Sequence, residues 1–143
     1  MVSIGEDKCL FLPDSAEFVN IEEVKATLKS IIELVNQDSS ISLGFCGTTA
    51  KAGTAEGCRK LSMEWARAVE RLMCQMGLNK EHVGSVMGLG YENPYYLNDQ
   101  NADGSLNEKI ACNNRAVIIY KMNSPITEKL KKFNKELKIK AKN

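Results

Sequence analysis

The segment ISLGFCGTTA, residues 41–50, joins a strand pattern to a loop of small residues. Ile41, Leu43 and Phe45 alternate with small residues, and this period of two is typical of a half-buried β-strand. The small residues continue to Gly53. Because helical patterns stand on both sides of this segment, it predicts a strand inside an alternating arrangement of helices and strands.

The flanking sequence supplies the other elements. Asn20 is the expected cap of one helix, and Ser62 is the expected cap of a second helix that Gly77 ends. The segment Leu89–Arg115 is too polar and glycine-rich for regular structure throughout. The predicted strands are Lys8–Leu12, 41–45, Val83–Gly88 and Ala116–Met122, and the predicted helices are Ile21–Asn36, 62–76 and 126–140, the last begun by Ser124-Pro125.

This order predicts an α/β fold of the α+β sandwich type. Two helices pack on one face of a four-stranded mixed sheet in βαβαβ-β order, because crossover connections bring helices onto a sheet with parallel pairs. A basic amphipathic helix follows at the C-terminus. We therefore expect one domain over residues 7–122 and a basic helical extension over 123–143.

The net charge conceals a separation of charge along the chain. Nineteen Lys and Arg against eighteen Asp and Glu give +1, but residues 126–143 hold seven Lys and two Glu, so they carry +5 and the rest carries −4. A basic tail on an acidic body is not the basic face of a nucleic-acid-binding domain, so we expect no nucleic-acid partner. The basic helix either lies on an anionic envelope surface or packs its apolar stripe on its own domain.

Composition restricts the remaining classes of protein. With 43% hydrophobic and 26% charged residues the chain fits a globular protein, and no run reaches the roughly 20 apolar residues of a membrane span. We expect no signal peptide, and contact with a membrane only through a parent protein. The five cysteines form no C-x-x-C pair, so we expect no zinc site. We also expect no cofactor. Buried free thiols are the first interpretation, and one or two disulfides are the alternative outside the cytosol.

One loop has part of a calcium-binding pattern. Asp99, Asn101, Asp103 and Gly104 match the opening of a helix-loop-helix calcium loop. The twelfth position, which should be a bidentate Glu, is Ile110. We therefore keep calcium binding as the weaker interpretation and an ordinary loop as the stronger one.

The segment from Cys46 to Val117 resembles the OmpA-like (OmpA/MotB/Pal) peptidoglycan-associated domain. That family reads Gly-His-Thr-Asp, then Gly, Asn and Leu-Ser-x-x-Arg-Ala, and later Gly-x-Gly-x-x-x-Pro and Asn-Arg-Arg-Val. The segment Phe11–Phe18 is also similar to the first-strand motif of the MotB branch. The corresponding residues here are Gly47-Thr48-Thr49-Ala50, Gly53, Cys58, Leu61-Ser62-Met63-Glu64-Trp65-Ala66, Gly77, Gly88-Leu89-Gly90, Pro94 and Asn114-Arg115-Ala116-Val117.

The departures from the family pattern lie in its ligand-binding positions. The resemblance implies that an Asp and an Arg hold the carboxylate and ammonium of diaminopimelate, and these positions are Ala50 and Trp65 here. The usual Asn is Cys58, whereas Thr49 and Arg115 remain. Each charge-assisted hydrogen bond contributes roughly 1.5–3 kcal/mol, so their loss should abolish ordinary recognition of diaminopimelate.

Two roles for these positions stay open. Neighbouring charges could replace the missing pair: Lys51 or Arg59 as the cation, and Glu56 or Glu64 as the anion. Trp65 either fills the pocket as a core residue or stacks on a sugar or aromatic ring of a ligand.

The resemblance implies a non-enzymatic, extracytoplasmic domain of the cell envelope. Its expected partner is a peptidoglycan stem peptide or another cell-wall glycopeptide, bound through a degenerate pocket of Thr49, Ala50, Cys58, Trp65 and Arg115. The alternative is a structural or assembly scaffold that no longer binds peptidoglycan, and such a scaffold could form a homodimer. We find no catalytic motif in the sequence.

Overall fold

The fold is an α+β sandwich, as the sequence predicts. The computed structural model describes residues 2–4, 10–11 and 15–142, and of these the side chains of 133 and 135–142 are not described. The strands are β1 (Val2–Ile4), β2 (Leu43–Thr48), β3 (Val83–Gly90) and β4 (Ala116–Lys121), and the helices are α1 (Ile21–Asn36), α2 (Ala55–Gln75), α3 (Glu108–Asn114) and α4 (Pro125–Lys142). A single 3₁₀ turn, Lys80–His82, leads into β3.

The sheet is mixed and has the strand order β1-β4-β2-β3. The strands β2 and β3 are parallel, with Phe45 opposite Val86, because α2 crosses over between them. The β2–β4 and β1–β4 pairs are antiparallel. The predicted mixed sheet of four strands is therefore confirmed.

Two glycines allow α2 to approach the sheet closely. A Cβ at Gly47 would lie 1.9 Å from the carbonyl oxygen of Ser62, and one at Gly88 would lie 2.3 Å from the backbone nitrogen of Met63. Real Cβ atoms do not approach other heavy atoms so closely, so any larger residue would push the helix outward. The glycines of the family-like motifs thus fix the distance between the helix and the strands.

The main core lies between the sheet and the helices α1 and α2. Both helices turn an apolar stripe toward one face of the sheet, in keeping with their helical periodicity. The buried residues of this core include Val24, Leu28, Ile32, Val35, Phe45, Trp65, Val69, Leu72, Met73, Val117 and Ile119.

A second, smaller core covers the opposite face of the sheet. Cys46, Met87, Leu89, Ile118 and Tyr120 point to this side, and Leu130 of α4 is fully buried against them. The start of α4 therefore packs on the body of the fold, and the C-terminal helix predicted from the sequence is confirmed.

The predicted first strand differs from the strand found in the sheet. Of Lys8–Leu12, only Leu10 and Phe11 are described; both are buried, and Phe11 forms an isolated antiparallel bridge with Phe18. The outer strand β1 precedes it and lies before the predicted domain boundary at residue 7. Three residues are too few to display a period, so sequence reasoning missed β1.

Two helix predictions need correction. The second helix begins at Ala55, two turns before Ser62, because the Thr54 hydroxyl caps it by accepting a hydrogen bond from the backbone N–H of Gly57. The short helix α3 lies within Leu89–Arg115, for which the sequence predicts no regular structure throughout, and Asn107 caps it. Its seven residues bury only Ala111 and Asn114, so no apolar stripe announces it.

Candidate functional site

The candidate site lies where β2 and β4 meet the loops that join them to the helices. The Thr48 hydroxyl at the end of β2 donates to the carbonyl oxygen of Asn114 at 2.8 Å, which ties β2 to the start of β4. The N–H of Thr49 donates to the carbonyl oxygen of Gly90 at 3.0 Å. The residues just after β2 are therefore held by both neighbouring strands.

Trp65 belongs to the main core. Its side chain is 1% exposed, and its indole N–H donates to the carbonyl oxygen of Ser15 at 2.7 Å. The indole ring stacks on Phe11 with centroids 4.9 Å apart, and Phe11 stacks in turn on Phe18 at 4.7 Å. In the structure Trp65 therefore packs as a core residue. It does not offer a surface for stacking, since no face of the ring is free for a ligand.

Ala50 and Cys58 are also closed to solvent, being 2% and 4% exposed. The Cys58 thiol lies 3.2 Å from the carbonyl oxygen of Ala52 and 3.7 Å from that of Ala50, which is the geometry of a weak S–H donor. These contacts join the start of α2 to the loop that follows β2. Ala50 and Cys58 thus help to pack the start of α2 against the loop that follows β2.

Asp99 is the organising residue of the site. Its side chain is fully buried, and its carboxylate accepts four hydrogen bonds, from the Tyr96 hydroxyl at 2.6 Å, the Gln100 amide at 2.9 Å, the Asn114 amide at 2.9 Å and the backbone N–H of Lys51 at 3.1 Å. Burial by itself would raise the pKa of this carboxyl, but the hydrogen bonds outweigh it and hold the pKa below the ordinary value. Asp99 therefore stays ionised and fastens three segments together.

Arg115 is nearly buried, at 9% exposure, and its guanidinium forms an ion pair with Glu108. The second contact of the pair, from Nη2 of Arg115 to Oε2 of Glu108, measures 3.5 Å. Because the carboxylate partner is 62% exposed, this pair lies at the surface end of the site. The hydroxyl of Thr49, which follows β2, is buried and has no hydrogen-bond partner among the described residues.

Three of the four charges that could replace the missing pair contact other residues, and the fourth, Glu64, is exposed on α2. Arg59 forms an ion pair with Glu92 at 2.9 Å. Lys51 places its ammonium 5.5 Å from the ring centroid of Tyr91. Glu56 pairs with Lys60 across one turn of α2, on its exposed side.

The polar side chains of the calcium-like loop take part in hydrogen bonds, Asp99 inside the protein and Asn101 and Asp103 at its surface. Asp99 already accepts four hydrogen bonds, and Asp103 accepts two from Ser105. The amide of Asn101 donates to the Ser105 hydroxyl at 3.0 Å. No group of three or more potential metal ligands occurs among the described residues. A calcium ion would have to displace these hydrogen bonds, and calcium binding stays an untested hypothesis.

The structure separates the five predicted pocket residues into two groups. Ala50 precedes Lys51 and Arg115 follows Asn114, and both Lys51 and Asn114 donate to Asp99. Thr49 adjoins Ala50 in the chain and Cys58 contacts the Ala50 carbonyl oxygen, whereas Trp65 lies further along α2 and faces the core. Sequence reasoning named Asp99 for calcium and missed its structural role. Its partners are as far as 48 positions away in the chain, and no local pattern could have revealed them.

Ser62 was likewise missed as a buried link between α2 and the sheet. Its hydroxyl accepts from the N–H of Gly90 at 2.9 Å and donates to the carbonyl oxygen of Arg59 at 2.9 Å. A serine that bonds back to its own helix in this way can be mistaken for a cap in the sequence. The Leu61-Ser62 pair, which lies inside the motif that resembles the family, is the sequence feature that could have revealed this role of Ser62.

Comparison with known proteins agrees with this fold. The model of the OmpA family matches residues 10–108. No curated protein matches the chain significantly. In the part of the chain that the structure describes, every helix is too short or too polar to cross a bilayer.

Solved structures of three proteins are similar to this chain. The peptidoglycan-associated lipoprotein from Burkholderia pseudomallei is 20% identical with a TM-score of 0.65, and the match covers 84% of this chain and 89% of that one. The C-terminal domain of Helicobacter pylori MotB is 16% identical with a TM-score of 0.61, covering 92% and 95%. The OmpA-like domain of FopA1 from Francisella tularensis is 25% identical with a TM-score of 0.54, covering 80% and 73%.

Proposed function

This chain belongs to the OmpA family, and we propose that it is a non-catalytic, peptidoglycan-associated domain of the cell envelope whose diaminopimelate clamp has been replaced by internal packing. In this role the domain contributes a folded scaffold at the cell wall, and it does not select the diaminopimelate side chain. The predicted limits of 7–122 and 123–143 remain part of the proposal, with the first limit moved forward to include β1, which pairs with β4 in the same sheet.

The observation that carries the proposal is the burial of Trp65 at the position of the family's clamp cation. Its indole ring is stacked on Phe11 and bonded to the Ser15 carbonyl oxygen, so it cannot turn toward a ligand without opening the core. A carboxylate arriving here would find no positive charge and would lose its hydration.

The anionic half of the clamp has no buried replacement that is free to bind a ligand among the described residues. Asp99 is the only buried carboxylate among them, and it contacts the residue after Ala50 through the N–H of Lys51. Its two oxygens already accept four hydrogen bonds from the protein. A ligand ammonium could reach it only by replacing these donors, which would release the loops that they hold.

One observation favours a second candidate function, in which the domain still binds a cell-wall glycopeptide. Among the described residues the hydroxyl of Thr49 is buried without a partner, and Arg115 is paired with a solvent-exposed carboxylate. A ligand carboxylate could take the place of Glu108 on the guanidinium. This candidate requires Thr49 and Arg115 and does not require Trp65.

An extracytoplasmic location is supported by the cysteines. Cys112 is disulfide-bonded, whereas Cys46, Cys58 and Cys74 are free thiols; Cys9 lies outside the described residues. Stable structural disulfides are typical of oxidising compartments such as the periplasm.

Co-sedimentation with purified sacculi separates the two candidates. We would compare sacculi whose stem peptides contain diaminopimelate with sacculi that contain lysine instead. The proposal predicts weak binding that is equal for both, because the clamp that distinguishes them is absent. A clear preference for the diaminopimelate sacculi would contradict it.

Two variants identify the residues used if binding is found. Thr49→Val and Arg115→Gln should reduce binding at least tenfold if the second candidate is correct, since each removes a charge-assisted or buried hydrogen bond. Arg67→Gln, at an exposed position of α2, is the matched control for the loss of charge. Equal binding by all three variants supports the scaffold. Analytical ultracentrifugation of the same samples tests for a homodimer.

A further inference from the structure

The described lysines of α4 make few contacts with the rest of the fold. Residues 126–143 carry +5 beside a body of −4. Among the described side chains of α4, the only ion pair is Lys131 with Glu128 at 4.0 Å, and this lysine is 56% exposed. Lys129 places its ammonium 5.0 Å from the ring centroid of Tyr95. Lys132 is exposed. These contacts of Lys129 and Lys131 therefore contribute little to the stability of the domain.

The apolar positions of the first two turns of α4 are occupied by the body. Leu130 is fully buried in the second core, and Ile126 packs against the same cluster. Thr127 is 1% exposed and donates to the carbonyl oxygen of Lys121 at 3.2 Å. This part of the helix cannot insert an apolar face into a bilayer, so any contact with an external surface must be electrostatic.

The helical spacing of the lysines places four of them in one row. Lysines occupy positions 131, 135, 138 and 142, with steps of four, three and four residues. Residues with these steps lie on one face of an α-helix. At 1.5 Å per residue the row is about 16 Å long.

We propose that α4 binds the surface of an anionic lipid bilayer through this row of lysines, defined by positions 131, 135, 138 and 142. A straight row meets a planar array of phosphate headgroups at all four positions together. A basic residue close to an anionic membrane increases partitioning into the membrane by about fivefold, and the effects of four such residues multiply. The acidic body is repelled by the same surface, so it faces away from the lipid. This role is independent of peptidoglycan binding.

Vesicle co-sedimentation of the full chain tests the proposal. The vesicles contain either phosphatidylcholine alone or phosphatidylcholine with phosphatidylglycerol. We expect binding only to the anionic vesicles, and we expect it to fall steeply as salt is added. Equal binding to the neutral vesicles, or no binding to the anionic ones at low salt, would overturn the proposal.

Replacing all four lysines of the row with glutamine should lower partitioning into anionic vesicles by two to three orders of magnitude, or about fivefold for each residue. The matched control replaces four exposed lysines of the body with glutamine, at positions 29, 60, 80 and 109. An equal loss of partitioning in both variants would show that only the net charge of the protein matters, and would overturn the assignment of binding to this row. Tighter binding to double-stranded DNA than to vesicles of the same phosphate content would assign the row to nucleic acid instead. Circular dichroism checks that both variants are folded.

Discussion

Replacing Trp65 with alanine tests whether this side chain is part of the core. A buried Trp→Ala change costs about 3–5 kcal/mol in free energy of unfolding. Because the indole stacks on Phe11 and donates to the Ser15 carbonyl oxygen, both contacts are lost with it, and we expect a cost near 5 kcal/mol. Since a domain of this size is stable by only about 5–15 kcal/mol, the variant should be close to unfolding.

Urea unfolding followed by far-ultraviolet circular dichroism measures the effect. Trp65→Phe keeps an aromatic ring and removes the indole N–H, so it should cost only about 1–2 kcal/mol. Leu34→Ala is the control, since Leu34 is 69% exposed and its truncation should change stability by less than about 0.5 kcal/mol. If Trp65→Ala costs less than about 1.5 kcal/mol, Trp65 is not a core residue and our reasoning on the filled clamp is refuted.

Four further predictions concern other residues of the fold. Hydrogen bonds lower the pKa of Asp99 in the folded protein against the opposing effect of burial. The ionised Asp99 therefore stabilises the fold above the ordinary pKa of 3.8, and this stabilisation is lost as the pH falls through the lower pKa of the folded state. Asp99→Asn should therefore flatten the acid limb of a stability–pH curve, and an unchanged limb would contradict the assignment. Gly88→Ala should destabilise the protein by more than about 2 kcal/mol in urea unfolding, since its Cβ would meet the backbone of α2, and a neutral result would mean that α2 is not so close. Titration of thiols in denaturant should find fewer than five before reduction and five after it, and five before reduction would exclude the disulfide of Cys112. Because burial raises the pKa of the Cys46 thiol to about 12, alkylation of the folded protein at mild pH should spare it, and rapid labelling would show that α4 opens.

Local patterns predicted the elements that carry their own periodicity. The helix Ile21–Asn36 has the bounds predicted for it. Its apolar spacing and its Asn20 cap are local features of the sequence, so they can be recognised without the folded structure. The strand Ala116–Lys121 was placed within one residue for the same reason. The short β1 and α3 were missed, since neither is long enough to complete a pattern.

The candidate site was predicted less well, because its contacts join distant segments. Sequence reasoning identified Ala50 and Trp65 as departures from the family pattern, but it left open whether Trp65 packs in the core. Its stacking partner Phe11 lies 54 positions earlier, so only the folded chain answers the question. The same holds for Asp99, whose hydrogen bonds to Lys51 and Asn114 depend on how two loops meet.

The most direct test of the central claim uses the only tryptophan of the chain. In a proton–nitrogen correlation spectrum the indole N–H of Trp65 gives a single resonance, which should exchange slowly with solvent because it is buried and bonded to Ser15. We predict that adding meso-diaminopimelate, or a stem peptide that contains it, leaves this resonance and the backbone signals of Thr49 and Ala50 unchanged. A saturable shift of these signals at millimolar ligand, absent with a lysine-containing peptide, would show that the clamp still works and would contradict the account.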